Sequence, residues 1–539
     1  MARKLKPNAE PDTLEEPEQK PEWPQRIAAS QHGMVATARS EATAAGVEML
    51  SLGGNAVDAA VAAAYALGVC EPAASGLGGQ TMVLFFNSST RKTVALDGSS
   101  RAPNRAAPGT LSSEERLVGH RATTVPSTPA VLEYARMTYG RLSLEQVLGP
   151  AIRLAEEGFA VSSLQNRLTK RELKKLKAGS ARRFFLRASQ RPYPVGSVLQ
   201  QPVLKETLVR LAEAGIQDFY TGDIAAEIHA DMEKNGGLLH LDDLAQIPWP
   251  IERRPVSTHF AGHRIITYPP PGAGRTLIEM LKILSNFPER QWNADTPKGA
   301  VLLAEVIRRA NIDRRDRPFD PNIYPQIDDL HAVSAQYSSL AARQIRKRIR
   351  PRGSGETTHL SVMDKDGNTV GLTQSVERVY GSFEASPKLG FLYNNYMSAF
   401  EYEDISHPYH LRPNAVPWAS VAPTIVFRGK MPWVVLGSPG SERIASSVLQ
   451  VILRLRRQPP YDAVAGPRLH CSIKGRVSLE ASRMRDDIPD ALERVGFTVD
   501  RRDPYSFYLG CVQLVLREGQ EFIGVADPRR DGSAGGLKD

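Results

Sequence analysis

The chain has 539 residues, 41% of them hydrophobic and 24% charged, a composition that suits a globular protein with either several average domains or one large α/β unit. Its three cysteines, Cys70, Cys471 and Cys511, are far apart and odd in number, which argues against a disulfide framework; none stands in a CxxC or Cys/His spacing, so no zinc site is expected, and nothing calls for a metal or nucleotide cofactor. The net charge of +9 comes without a helix-turn-helix, zinc-finger or RNA-binding signature and is read as a solvated basic surface, with no nucleic-acid partner.

Residues 1–32 are expected to be a disordered arm: Met1 to Trp23 is rich in Lys, Glu and Pro and holds no apolar segment of the secretory-signal kind. The longest apolar run, Ala56 to Val69, is interrupted by Asp58 and too short to span a bilayer, so a cytoplasmic location without a membrane partner is expected. A helix is expected from Ser40, a suitable N-cap, up to Gly53-Gly54-Asn55. Ala56 to Val69 then reads as a second, deeply buried helix whose alanines allow close backbone approach. Glu71 to Gly79 is a Gly-rich turn into a strand over Thr81 to Phe86. It lacks the Lys-Ser/Thr of a phosphate loop and the GxGxxG order, so it reads as a packing turn. Val94 to Asp97 is a further strand, leading into Gly98-Ser99-Ser100-Arg101. Val301 to Asn311 and Asp328 to Arg346 look helical, which makes the first half helix-rich. The densest basic run, Arg343 to Arg352, reads as an exposed linker.

After that linker comes Gly355-Glu356-Thr357-Thr358-His359. Two β-branched runs, from Thr357 and from Thr369, flank the polar turn Asp366-Gly367-Asn368, the pattern of a β-hairpin. A Thr-Thr pair opening a strand is also ordinary β-former chemistry, and the hairpin alone does not separate that reading from a catalytic one. Further on, Val434 to Leu436 is a strand entering the turn Gly437-Ser438-Pro439-Gly440-Ser441.

The Thr357-Thr358-His359 hairpin and the helix pair ending in Glu71 to Gly79 resemble the processing site and signature helices of the γ-glutamyltranspeptidase family. Phe219 to Asp223, Pro269 to Gly272, Val379 to Ser382, Leu392 to Asn395, Gly466 to His470 and Ala526 to Gly532 match further family landmarks in order, so the resemblance runs from about Gly33 to the C-terminus. It implies an α+β fold, a four-layer αββα sandwich of N-terminal-nucleophile hydrolase type. It also implies self-cleavage between Glu356 and Thr357, giving a large subunit (33–356) and a small subunit (357–539) that form one interlocked unit. Thr357 would then be the nucleophile and its freed α-amine the base. An amide nitrogen cannot take up a proton, whereas an α-amine titrates near 7.7–8.0. By the same resemblance Thr358 supports the amine, Ser375 supplies a hydroxyl bonded to the nucleophile, and the N–H groups of Gly440 and Ser441 form the oxyanion hole. Ser441 replaces a family glycine there.

The departures lie in the substrate pocket. The family's carboxylate-clamping Arg is Ser99 here, with Arg101 two places on. Its amine-binding Glu/Gln and Asp are Tyr396 and Ala399, its hairpin Asn is Glu377, and its Ser-Ser pair is Ala419-Ser420. The loop from Glu401 to Pro417, where relatives often carry a lid, looks abbreviated; its His407 and His410 are read as solvated. A γ-glutamyl group is a zwitterion, and burying either charge without a partner costs several kcal/mol. The expected activity is therefore hydrolysis of a small-molecule amide whose acyl group is not γ-glutamyl, similar in kind to cephalosporin acylase-like and oxamate amidohydrolase-like relatives. The substrate-binding set would be Ser99, Arg101, Glu377, Tyr396 and Ser420, with Arg101 or Arg378 available to an anionic acyl group. The alternatives are an orthodox glutathione hydrolase with a shifted Arg, and a non-catalytic scaffold that stays one polypeptide.

Overall fold

The β-branched runs on either side of Gly367 pair antiparallel as Thr358–Asp364 and Thr369–Ser375. Gly367 takes a φ of 86°, the turn conformation that glycine adopts without penalty. The structure, a computed structural model, describes residues 25–318, 334–344 and 357–538. The hairpin lies in the middle of a seven-stranded sheet ordered Ser533–Gly536, Gly33–Thr37, Thr358–Asp364, Thr369–Ser375, Gln80–Asn87, Lys92–Gly98, Ile251–Arg253. A second seven-stranded sheet runs Ile27–Ser30, Glu521–Ala526, Gln513–Glu518, Met431–Gly437, Thr424–Arg428, His263–Thr267, Val256–Phe260. Every pairing within these two sheets is antiparallel.

The sheets stack face to face over an apolar layer that includes Met34, Leu84, Met363, Ile425, Val435 and Phe522. Helices Ser40–Ser51 and Ala56–Cys70 cover the outer face of the hairpin sheet. Gly274–Leu284 and Arg443–Arg454 cover the other sheet, with Pro297–Asp316 packed on Gly274–Leu284. This is the expected four-layer αββα sandwich.

The Ala-rich helix shows why its sequence is interrupted by a charge. Asn55 and Asp58 form a capping box, the Asn55 side chain accepting from the Val57 N–H at 2.8 Å and Asp58 Oδ2 accepting from the Asn55 N–H at 2.8 Å. Asp58 also accepts from the N–H groups of Arg141 and Leu142, so the buried carboxylate is fully engaged. The same helix is tied to the hairpin at its start and its middle: Ala56 N–H donates to Asp364 Oδ2 at 2.9 Å, and Gln374 Nε2 donates to the Ala64 carbonyl at 2.9 Å. Gly78 and Gly79 sit against the carbonyls of Leu392 and Ser375, where a Cβ would collide, so this turn is built for close packing. Ser40 is the first helical residue and Arg39 holds the cap position, one residue before the expected start.

Two boundaries differ from expectation. The arm expected over residues 1–32 gives way at Ile27–Ser30, which pairs with Glu521–Ala526 as an edge strand. Of the helix expected over Asp328 to Arg346, Ala335–Gln344 is formed; the rest, most of the basic linker and Glu356 lie outside the described residues. Both sheets contain strands from before and after position 357, so neither segment forms a whole sheet alone. Among the described residues no helix is long and apolar enough to cross a membrane.

The C-terminal segment is anchored by charges rather than by apolar contact. Arg529 closes on Glu480 at 2.6 Å and on Asp527 at 3.0 Å, and Arg468 closes on Asp527 at 2.6 Å, with all four side chains fully buried. Asp527 Oδ2 also accepts from the Val512 N–H at 2.8 Å, and Cys511 N–H donates to Ser438 Oγ at 2.9 Å. Gly510 thereby lies against Gly440, where a Cβ would come within 3.2 Å of the Gly510 Cα. Asp527→Asn removes a buried anion from between two guanidinium groups. It is expected to destabilise the fold by about 3–5 kcal/mol, seen as a lower urea midpoint at unchanged slope. An unchanged midpoint would contradict this account of the cluster.

Candidate active site

Thr357 directly precedes the strand Thr358–Asp364 and is 6% exposed. It lines a cavity of about 320 Å³ together with Glu377, Tyr396, Ala399, Ser420 and Ser441. Chain alternation explains its placement. Leu360 and Val362 join the core under the helices, whereas Met363 joins the layer between the sheets. His359 is on the Thr357 side of the strand. Its Nδ1 bonds Thr373 Oγ1 at 2.8 Å and its Nε2 bonds Ser361 Oγ at 3.1 Å, and burial pushes its pKa down to about 3. A ring held neutral in this way positions the strand and does not move protons at working pH. Thr358 points to the opposite face, outside the cavity lining, and its buried hydroxyl has no hydrogen-bond partner among the described residues.

Ser375 ends the partner strand without lining the cavity. Its Oγ accepts from the Glu377 N–H at 2.8 Å, and it hydrogen-bonds the Tyr396 hydroxyl. Glu377 holds a φ of 77°, unusual for a residue with a Cβ. Burial raises its carboxyl to about 7 against the opposing effect of Arg378. The Tyr396 phenol is raised well above its ordinary value, by burial and then by Glu377. Gly440 and Ser441 take φ of 121° and 52°. Ser441 thus adopts the left-handed backbone of the glycine it replaces, at a cost of about 1–2 kcal/mol. The Ser441 carbonyl accepts from the Ile444 N–H at 3.0 Å at the start of helix Arg443–Arg454, whose positive end favours negative charge nearby.

Ser99 and Arg101 are not part of the cavity. The Ser99 hydroxyl donates to Asp97 Oδ1 at 2.6 Å, and buried Asp97 is ion-paired with Arg253 at 2.6 Å. Arg101 is held by its backbone, its carbonyl accepting from the Val125 N–H at 2.8 Å. Sequence reasoning missed the buried cation that lines the cavity. Arg314, from helix Pro297–Asp316, donates from Nη1 to Ser420 Oγ at 3.3 Å and from Nη2 to the Ala419 carbonyl, with its guanidinium 4.7 Å from the centre of the Trp418 ring. Glu442 and His407 also line the cavity, His407 stacked on Trp418. The available signal was helical spacing: Asn311, Arg314 and Arg315 stand at i, i+3 and i+4, and all three face the cavity.

Glu377 gives the site a pH signature. Its folded value of about 7 lies above the roughly 4.3 of an unfolded glutamate, so its contribution to stability is fully present below about pH 4.3 and is lost as the pH rises through about 7. Glu377→Gln is therefore expected to gain thermal stability relative to the parent between pH 5 and pH 8. A melting-temperature difference that does not change with pH would contradict the assignment.

The family profile described as gamma-glutamyltranspeptidase matches residues 42–537. The chain is 33% identical to the glutathione hydrolase proenzyme of Escherichia coli (strain K12) over 537 residues, covering 93% of this chain and 91% of that protein. It is similar to the solved structure of cephalosporin acylase from Bacillus halodurans, with 27% identity and a TM-score of 0.87 over 98% of this chain and 100% of that one. It is also similar to Helicobacter pylori gamma-glutamyltranspeptidase, with 30% identity and a TM-score of 0.54 over 57% of this chain and 90% of that chain. The sandwich is thus an N-terminal-nucleophile hydrolase fold, its activity is that of an amide-bond hydrolase or transferase, and the chain belongs to the γ-glutamyltranspeptidase family.

Proposed function

We propose that this protein is a self-processing amide hydrolase whose nucleophile is Thr357 and whose acyl donor is not γ-glutamyl. The observation that carries the reading is the placement of Thr357, at the start of a core strand, in one cavity with Ser441. In maturation the Thr357 hydroxyl attacks the Glu356 carbonyl, the peptide nitrogen leaves as the new α-amine, and water hydrolyses the resulting ester. Residues up to 356 then form the large subunit and residues from 357 the small one, held together by the two sheets they share.

In turnover Thr357 Oγ attacks the substrate amide carbon while the α-amine takes its proton. The tetrahedral oxyanion is stabilised by the Gly440 and Ser441 N–H groups, each worth about 3–4 kcal/mol. The amine then leaves with the proton, and water releases the acyl group from Thr357 as a free acid. Against a γ-glutamyl donor stand Tyr396, Ala399 and Glu377. All three line the cavity; Tyr396 and Ala399 hold the positions where the family binds the substrate amine, and Glu377 the position of a family Asn.

Purified protein is expected to run as two unequal chains, the smaller beginning at Thr357. Thr357→Ala is expected to remain one chain and to hydrolyse no amide. In a p-nitroanilide panel, kcat/KM for the γ-glutamyl donor should fall at least tenfold below that for the preferred acyl donor. An intact chain with full activity would defeat the mechanism; γ-glutamyl turnover as the best of the panel would defeat the specificity.

A further inference from the structure

We propose that a basic cavity at the end of the sandwich remote from Thr357 binds a small soluble polyanion, a molecule with adjacent phosphate or carboxylate groups. The inference does not depend on which residue is the nucleophile.

The cavity, of about 300 Å³, is lined from both sheets. Strand register gives its position. Thr358 pairs with Gln374 and Gln374 with Thr81, whereas Phe86, in the cavity lining, pairs with Thr369 and Thr369 with Met363. At about 3.4 Å a residue, the run from Thr358 to Met363 separates the two ends by about 17 Å.

The inward faces of these strands are apolar along most of their length, with Leu84, Phe86, Ala95, Ile266, Ile425 and Phe427 in the layer between the sheets. At this end the pattern breaks. Thr93 is the cross-strand partner of Phe86, Ser257 of Ile266 and Arg264 of Phe427, so polar residues take positions that alternation turns inward. All three line the cavity, together with the edge-to-face pair Phe86 and Phe427 at 5.4 Å.

Further cations reach the same space from separate connections. Arg91 comes from the turn after Gln80–Asn87, Arg254 from the link between Ile251–Arg253 and Val256–Phe260, and Lys430 from the turn after Thr424–Arg428. Among the described residues the lining holds no Asp or Glu, and Arg91, Arg264 and Lys430 form no ion pair. Neighbouring Arg428, which does not line the cavity, is paired with Glu518 at 3.1 Å. A space of this volume is about 8 Å across, close to the Debye length at physiological salt, so the cations around it repel one another and act on the same ligand. A monoanion answers one of them. A compact ligand with two or more negative charges answers several, through the bidentate contacts that guanidinium groups make with phosphate and carboxylate, and Thr93 and Ser257 add hydroxyl donors. Room for about ten waters at about 30 Å³ each suits a ligand the size of pyrophosphate or citrate.

The test is calorimetric titration of the purified protein with pyrophosphate and, separately, with citrate, using acetate as the monoanionic control. The parent is expected to bind one equivalent of at least one polyanion at least tenfold more tightly than acetate. Whichever binds tighter identifies phosphate or carboxylate as the recognised group. Arg264→Gln should weaken that binding about tenfold, and Arg91→Gln combined with Lys430→Gln by more. These three side chains are exposed, so the variants should melt with the parent when no polyanion is present. Arg314→Gln, in the Thr357 cavity, should bind as the parent does. No saturable binding of either polyanion, binding unmoved by both sets of substitutions, or binding lost in Arg314→Gln overturns the site.

Discussion

The structure depends on how one strand is paired. Thr358–Asp364 is bonded along its whole length to Thr369–Ser375, but Gly33–Thr37 meets it only from Ser361 to Asp364. Among the described residues, the first residues after Thr357 are paired with a strand on one side only. That arrangement fixes the position of residue 357 to the accuracy of a core strand while its side chain lines the cavity. A loop would present the same side chain with less accuracy.

The surrounding chemistry divides into charges that are neutralised and charges that are not. The Arg468, Glu480, Asp527 and Arg529 cluster neutralises itself in the interior, and through Val512 and Cys511 it steadies the segment against which Gly440 rests. The cavity holds the opposite case. Burial shifts Glu377 and Glu442 toward their neutral forms, and Arg314 hydrogen-bonds neutral oxygens. Burial is the common cause, and the availability of a partner decides between structural and functional charge.

Much of this was legible in the sequence because it is local. The hairpin followed from β-branched runs around Asp366-Gly367-Asn368, and the buried helix from its alanines. Asp58, which looked like an interruption, completes a cap and receives the following helix connection. Glu377, Tyr396, Ser420 and Ser441 reach the cavity because they lie on or beside elements anchored to the hairpin. Arg314 was not legible in the same way. It is one of several arginines late in helix Pro297–Asp316, and only the packing of that helix decides which of them turns inward. Arg101 was expected there from its sequence offset alone, but Ser99 and Arg101 both lie outside the cavity lining, with Ser99 committed to Asp97.

The most direct test of the central claim is to trap the acyl-enzyme. The matured protein is given a slowly hydrolysed acyl donor, quenched in acid, digested and mapped by tandem mass spectrometry. The account predicts the acyl mass on the N-terminal residue of the peptide that begins Thr357-Thr358-His359. An adduct on any other residue, or turnover with no adduct on Thr357 under conditions where deacylation limits the rate, would contradict it.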